Sequence, residues 1–435
     1  MSGVGLLNRF GAGVRRVLRH PSATLLASSA ASTLFGLGTA TLQARLLGPA
    51  GRGELAMAMV PAGIVAILLS FGLPDFAARR AAKGTDTRSL SRLALVAGVA
   101  IGLVAFFPYI LLAGLQADGQ TEVWWLFVAW AATVPLFVFG STLTGVAIGS
   151  GRWLASAVVR ALPGFAALVV LTALFFLHVD ASPLLVGLIL IATTVLSPLT
   201  YMVRRFARPA TSFGRELIVD AARFGARGWM AGATALVNQR IDLLMVSAIA
   251  RPQEVGLYAV STTLAATLNA VSNAVAMPNR NRVARGDVTR VARTCASTML
   301  LIVCLALVVA AAVPLLIFVL LGSAFQAAAA PMFVLLAAQV PLAGVVVLTQ
   351  SLNGAGKPGK PLVGEVVALV TTAGMILLLF SPGGLVLAAT ATGVGNLLSL
   401  AVLIVLTRKH IQAAPIRSFC FIGPRAMIST LRSLR

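Results

Sequence analysis

Twelve apolar stretches, each long enough to cross a bilayer, are joined by loops that alternate between strongly basic and almost free of positive charge. A helix needs about 20 apolar residues to span the hydrocarbon core. Stretches of that order lie near 22–46, 54–78, 93–115, 123–148, 154–177, 183–203, 223–250, 255–278, 294–321, 327–351, 361–380 and 384–407. Backbone polar groups in lipid must be satisfied within the segment, so each stretch is expected to be a helix. The chain reads as an all-α polytopic membrane protein with twelve transmembrane helices, spans 1 to 12 below. Only 11% of the 435 residues are charged and 59% are apolar, and no soluble stretch long enough to fold separately remains.

The net charge of +22 invites a nucleic-acid reading, but the positions of the charges oppose it. Of 34 Lys and Arg, 29 lie in the N-terminal tail, the loops after even-numbered spans, or the C-terminal tail. Arg9, Arg15, Arg16 and Arg19 precede span 1, and Arg79, Arg80, Lys83, Arg88 and Arg92 lie between spans 2 and 3. The opposite loops hold Asp118, Glu122, Asp180 and Glu254, with Arg52 and Arg251 as their cations. Cytoplasmic loops collect Lys and Arg, so both termini are expected in the cytoplasm. The basic excess is then a topology signal that also attracts anionic inner-leaflet lipids, and no nucleic-acid partner is expected.

Soluble chemistry finds little support. Cys295, Cys304 and Cys420 have no metal-ligand spacing, and His20, His178 and His410 sit far apart in sequence, so no metal site is expected. No Gly-x-x-x-x-Gly-Lys-Ser/Thr phosphate loop occurs. No catalytic residues are expected, and the chain is not read as an enzyme. The first apolar run is too long for the core of a signal peptide and is kept as span 1.

The second half echoes the first. Pro49, Gly53 and Ala56 match Pro252, Gly256 and Ala259 at one offset of 203. Arg80 to Gly84 is similar to Arg282 to Gly286. Gly149-Ser-Gly151-Arg152 after span 4 matches Gly354-Ala-Gly356-Lys357 after span 10. Recurrence of short Gly/Pro exits by chance is the competing reading. The offset covers an even number of spans, so the halves would insert in the same sense as parallel repeats with a path between them. The expected organisation is a basic cytoplasmic tail at 1–21, a six-helix lobe at 22–203, a basic linker at 204–222, a second lobe at 223–407 and a basic tail at 408–435.

These residues carry a family resemblance. Ala44-Arg45-Leu46-Leu47-Gly48-Pro49 with Gly53, Phe71-Gly72-Leu73-Pro74 with Ala78-Arg79-Arg80, and Asn238 to Met245 with Val255-Gly256-Leu257-Tyr258 form its core. Together with Asn353 to Lys357 they resemble the polysaccharide biosynthesis and export (O-antigen flippase-like) branch of the multidrug/oligosaccharidyl-lipid/polysaccharide (MOP) flippase superfamily. The resemblance covers roughly residues 20–410. It implies two lobes in alternating access in a bacterial inner membrane. It also implies a lipid-linked oligosaccharide cargo moved from the cytoplasmic to the outer leaflet, with polysaccharide polymerase and glycosyltransferases as pathway partners. An ion-coupled multidrug exporter and a lipid II flippase are the alternatives from the same superfamily. Transport would be driven by an H+ or Na+ gradient, the membrane potential or substrate supply, with no bound cofactor.

Ionisable groups inside spans cost about 2.5–3.5 kcal/mol each on insertion scales, so each needs a reason. Arg240 and Asp242 lie in span 7 and would point about 200° apart on a continuous helix, so they cannot pair on one face. Asn238 and Asp242 would share a face. One reading makes this segment cleft-lining, with Arg240 on a pyrophosphate or acidic sugar and Asp242 as a proton or cation group. The other makes Arg240 and Asp242 members of ion pairs between helices, or has Arg240 snorkel. Arg45, near the outer end of span 1, is a cleft candidate for which snorkelling is the better reading. Asp75 is expected to pair locally with Arg79 or Arg80 at the cytoplasmic end of span 2. Arg160 and Glu365 fall at equivalent places in spans 5 and 11, which suggests either mutual pairing in gating or simple snorkelling. Span 1 carries a small, weakly polar stripe from Ser29 to Gln43, and span 8 carries Thr262, Asn269, Ser272 and Asn273. Close helix packing or a hydrated cleft would explain either stripe. Asn269 and Asn273 favour the cleft, because two amides facing lipid would be costly.

Overall fold

The computed structural model describes residues 21–116, 120–203, 214–357, 359–412 and 414–420. Residues 1–20 of the expected N-terminal tail, 204–213 of the basic linker and 421–435 of the C-terminal tail lie outside this set. Every regular element among the described residues is helical. They are α1 (Pro21–Leu69), α2 (Leu73–Ala82), α3 (Thr87–Gln116), α4 (Thr121–Ala131), α5 (Thr133–Gly149), α6 (Trp153–Phe176) and α7 (Pro183–Val203). The second half continues with α8 (Arg215–Asn238), α9 (Ile241–Ile249), α10 (Pro252–Ala265), α11 (Leu268–Ala284), α12 (Val291–Leu316), α13 (Ala329–Gly354), α14 (Pro361–His410) and the short α15 (Arg417–Cys420).

Ten helical stretches among the described residues are long and apolar enough to cross a membrane. The difference from twelve has two sources. The 43-residue stretch Ala27–Leu69 holds most of span 1 and the first part of span 2, joined without a loop through Gly48, whose φ of 65° breaks the helical path; the rest of the expected 54–78 lies beyond a turn, in α2. A left-handed residue followed by Pro49 turns the chain where no side chain opposes it. Span 7 is not among the ten: its first helix, α8, carries Arg215, Glu216, Asp220, Arg223 and Arg227 before it stops at Asn238, and α9 adds only nine residues.

The protein is thus a multi-pass membrane protein whose helices differ in how much of their surface they hide. Thr87–Gly114 and Val291–Leu321 bury only 17% and 22% of their most apolar window, while Thr121–Gly149 and Ser323–Gly354 each bury 56%. Spans 3 and 9 therefore present side chains such as Phe107 and Leu307 outward, as a lipid-facing helix must, while spans 4 and 10 are internal.

The described residues pack as two compact units, one formed by the chain up to Leu42 and by Val65–Arg227, the other by Gln43–Ile64 and the chain from Gly228 onward. In the first unit α2 lies on α5. A Cβ on Gly145 would stand 2.1 Å from the Pro74 carbonyl oxygen, and one on Gly149 2.1 Å from that of Ala78. Leu73, Phe76, Ala77, Leu90, Val138 and Val146 close the core beside this contact. Span 1 packs against α6, with Gly38 against Leu168 and Phe35 against Phe165. Ser32 and Thr33 of its stripe donate to the backbone one turn earlier, which fits close packing.

In the second unit α11 lies on α13, and a Cβ on Gly354 would stand 2.5 Å from the Arg280 carbonyl oxygen. Gly149 and Gly354, and Ala78 and Arg280, are counterparts in the sequence repeat. The αL exits match as well: Gly84 and Gly286 have φ of 84° and 93°, and Gly151 and Gly356 have 73° and 74°. Each helix ends here because a residue without Cβ enters the left-handed region at no steric cost.

The segment Gln43–Ile64 belongs to the second unit because its backbone touches α10. A Cβ on Gly53 would lie 1.6 Å from the Pro252 carbonyl oxygen, and one on Gly256 1.9 Å from that of Pro49. The motif that recurs at offset 203 is packed against its own copy. The expected division at 204–222 therefore leaves residues 43–64 on the other side of the boundary from the rest of the N-terminal half.

Candidate functional site

The broken span 7 builds a polar cavity inside the second unit. After Asn238 the chain makes a tight turn, with the Arg240 N–H donating to the Val237 carbonyl at 2.9 Å, and α9 restarts at Ile241. Span 8 breaks in the same way between α10 and α11, where the Ala266 N–H donates to Thr262 and the Asn269 N–H to Ala266. These two interruptions bring Asn238, Gln239 and Asp242 to one cavity with Thr262, Asn269 and Asn273. Its volume is about 150 Å³. Span 10 contributes Gln339, Thr349 and Gln350, span 11 contributes Glu365, and span 12 contributes Thr392 and Asn396.

Asp242 is buried, and its partners are hydroxyls and a backbone amide rather than a cation. The Tyr258 hydroxyl donates to Oδ2 at 3.0 Å and the Thr392 hydroxyl at 3.2 Å. The Leu243 N–H donates to Oδ1 at 2.7 Å. Asp242 also stands in the first turn of α9, where the helix N-terminus favours negative charge. Glu365 is buried and accepts from the Asn238 side-chain amide at 2.9 Å. The cavity wall thus holds two carboxyl groups, each satisfied without an ion pair.

Several sequence expectations are changed by this geometry. Asn238, Asp242, Asn269 and Asn273 line one cavity, and Asn238 and Asp242 meet there across a helix break and not along one helix face. Arg240 does not line the cavity: it is exposed at the start of α9, because the break turns it away. Arg45 is exposed and donates through Nε to the Leu320 carbonyl at 2.9 Å and through Nη2 to that of Val319. It caps the free carbonyls where α12 ends in a π turn at Ile317–Leu321, and a cation suits that negative helix end. Gln43 is buried in the second unit and is not a cavity residue.

The two ion-pair expectations also change. Asp75 lies exposed in the first turn of α2, and Arg80 pairs instead with Asp220. Arg160 and Glu365 do not pair. Arg160 donates to the Ser29 hydroxyl at 3.3 Å, while Glu365 has the Asn238 amide. Arg52, expected in an exposed outer loop, is 3% exposed, with Nε and Nη1 unpartnered among the described residues.

Sequence reasoning missed the residues of spans 10 and 12. A signal was present. Gln339 and Gln350 are eleven residues apart, three helical turns, and so share a face, as do Thr392 and Asn396 at i, i+4. Tyr258 carried no such signal, since its hydroxyl meets Asp242 from the neighbouring helix.

Interrupted membrane helices around a cavity that mixes carboxamides, hydroxyls and two carboxyl groups with apolar side chains are the architecture of a membrane transporter. The polysaccharide biosynthesis protein family matches residues 21–279, and the chain belongs to that family. No curated protein matches the chain. Among solved structures, the lipid II flippase MurJ in an inward closed conformation is 10% identical with a TM-score of 0.74, covering 94% of this chain and 90% of its own. An inward-facing multidrug resistance MATE family transporter of the MOP superfamily is 15% identical with a TM-score of 0.71, covering 88% and 95%. A MOP superfamily transporter from Pyrococcus furiosus, described as having reverse polarity of its binding pocket, is 15% identical with a TM-score of 0.59, covering 92% and 98%. The chain shares the fold of these transporters.

Proposed function

We propose that this chain is a flippase for polyprenyl-pyrophosphate-linked polysaccharide repeat units. It carries them from the cytoplasmic to the outer leaflet of a bacterial inner membrane by alternating access. The observation that carries this reading is the cavity rich in carboxamides and hydroxyls, set in a helical membrane protein of the polysaccharide biosynthesis family. A glycan presents hydroxyls that both donate and accept, which match the carboxamides and hydroxyls of the wall. Asp242 and Glu365 serve as the groups through which an H+ or Na+ gradient is coupled. Polymerase and glycosyltransferases of the same pathway act before and after it, and anionic inner-leaflet lipids meet its basic loops. Deleting the gene and any paralogue leaves lipid-linked repeat units facing the cytoplasm, as measured by leaflet-specific glycan labelling of spheroplasts. Normal arrival of those units in the outer leaflet would refute the reading.

One observation favours a second reading. Two carboxyl groups in the cavity also suit an ion-coupled exporter of cationic compounds. That reading expects hypersensitivity to cationic drugs in the deletion strain and normal cell-surface polysaccharide.

A further inference from the structure

Three lysines and a histidine gather at one end of the second unit, where α13 stops and α14 both begins and ends. The Lys357 ammonium donates to the His410 carbonyl at 3.3 Å, at the last residue of α14. Lys357, Lys360 and Lys409 all act electrostatically on His410, and no carboxylate among the described residues does. Asp287, in the adjoining loop between α11 and α12, is already engaged by the Thr289 hydroxyl and by Arg282 and Arg290. Ammonium groups gathered without an acid repel one another, and an anion placed among them relieves the repulsion. The chain beyond His410 holds this end of α14 in place. Gln412 accepts from the Ala292 N–H at 3.1 Å and donates to the Thr289 carbonyl at 2.8 Å, and Phe419 is buried in the core of the unit.

What lies beneath the cluster decides the kind of anion. The two halves of α14, spans 11 and 12, pack antiparallel. A Cβ on Gly364 would stand 3.0 Å from Ser399 Oγ, and one on Gly395 2.4 Å from Thr372 Oγ1. At about 100° per residue, Lys360 and Lys409 lie roughly 40° and 80° round their helices from the Gly364–Ser399 contact. Val363, Val370, Leu398 and Val405 lie about 100–120° round. The rotation has the same sign in all six, and antiparallel helices mirror that sign across their contact, so all six face one side of the pair. The four apolar residues are exposed there, in the membrane-spanning part of each helix, and so meet lipid. A small anion free in solution gains nothing from such a face, whereas a phospholipid headgroup brings acyl chains that cover it.

We propose that Lys357, Lys360, Lys409 and His410 form a site for the phosphate of one anionic phospholipid, whose acyl chains lie along the exposed valines and leucine of spans 11 and 12. Basic pockets between the ends of membrane helices suit such headgroups. The ammonium groups donate charge-assisted hydrogen bonds to the phosphate oxygens. A bound lipid then ties the start of span 11 to the end of span 12. The inference sharpens the general attraction of anionic lipids to the basic loops into a single site, and it stands whether or not the cargo is a lipid-linked glycan.

The test uses full-length protein in nanodiscs of equal parts phosphatidylglycerol and phosphatidylcholine with the same acyl chains. Native mass spectrometry counts the lipids that stay bound on release. One phosphatidylglycerol is expected to be retained, with at least tenfold preference over phosphatidylcholine. Lys360→Gln/Lys409→Gln is expected to weaken that retention at least fivefold; it leaves Lys357 on the His410 carbonyl. Lys360→Arg/Lys409→Arg is expected to keep it. Lys83→Gln/Arg88→Gln removes the same charge from a loop of the first unit and is expected to keep it too. If the double glutamine variant does not fold, Lys409→Gln alone replaces it and must weaken retention at least twofold. Absence of any preference in the wild type, or an equal loss in the Lys83/Arg88 control, overturns the site. Glycerol phosphate that displaces phosphatidylglycerol from detergent-purified protein at equal concentration assigns the cluster to a free phosphate and also overturns it. The flippase reading is untouched by these outcomes and falls only with normal outer-leaflet delivery in the deletion strain.

Discussion

Alanine at Gly256 tests the contact that binds Gln43–Ile64 to the second unit. The added Cβ would lie 1.9 Å from the Pro49 carbonyl oxygen, 2.9 Å from its carbon and 3.0 Å from the Gly53 nitrogen. All three are backbone atoms, so no flexible side chain can swing aside. The backbones must part by at least 1.1 Å, the 3.0 Å floor for a Cβ contact less 1.9 Å. Over-packing of this kind costs typically about 1–3 kcal/mol. Replacing glycine inside a helix returns about 1 kcal/mol of intrinsic preference. A net loss of up to about 2 kcal/mol is therefore expected for Gly256→Ala, and at least as much for Gly53→Ala. The double variant should cost less than the two losses added, because backbones already parted for one methyl leave room for the second. Gly63→Ala is the control: it is on the same α1, exposed, with nothing within 4 Å of the new Cβ, and should be neutral or slightly stabilising. Thermal unfolding of detergent-purified protein, followed by tryptophan fluorescence, ranks the variants. If Gly256→Ala unfolds at or above the wild-type temperature while Gly63→Ala behaves as stated, the close backbone contact is not there.

Three further outcomes follow from the same kind of argument. Tyr258→Phe removes a buried donor to Asp242 and should cost about 1–3 kcal/mol by thermal unfolding, whereas Thr392→Ser keeps its hydroxyl donor and should unfold near the wild-type temperature. Gly151→Ala and Gly356→Ala put a Cβ at φ of 73° and 74° in open space, so each should cost about 1–2 kcal/mol and the two losses should agree. Unequal losses would speak against the equivalence of the two helix exits. Arg80→Ala breaks the pair with Asp220, but the two side chains are 34% and 39% exposed, so the loss should stay below about 1 kcal/mol and shrink in high salt.

Most of the architecture was legible because lipid imposes a coarse code. Apolar length marks spans, and Gly149, Gly151, Gly354 and Gly356 announce helix exits by the absence of a side chain. The breaks after Asn238 and Ala265 were not legible. No proline or glycine stands at either, and each is held by backbone bonds and neighbouring helices. The candidate site was half legible for a related reason. A search for charge in apolar spans finds Asp242 and Glu365, but Gln339, Gln350 and Asn396 carry none and escape it. The same search gave weight to Arg240 and Arg45, which the helix break and the π turn place outside the cavity.

The contact between Gly53 and Gly256 has a consequence for biosynthesis. The two glycines are 203 residues apart in the chain, so at about 5–20 residues per second the first leaves the ribosome roughly 10–40 s before its partner. During that interval the bare backbone ridge around Pro49 and Gly53 is without its mate. The insertion machinery, lipid or a chaperone must occupy the ridge until α10 arrives. The second half, made alone, would lack residues 43–64 and expose the matching ridge on α10. Expressed as separate polypeptides, the halves should therefore fare poorly apart and recover when made together.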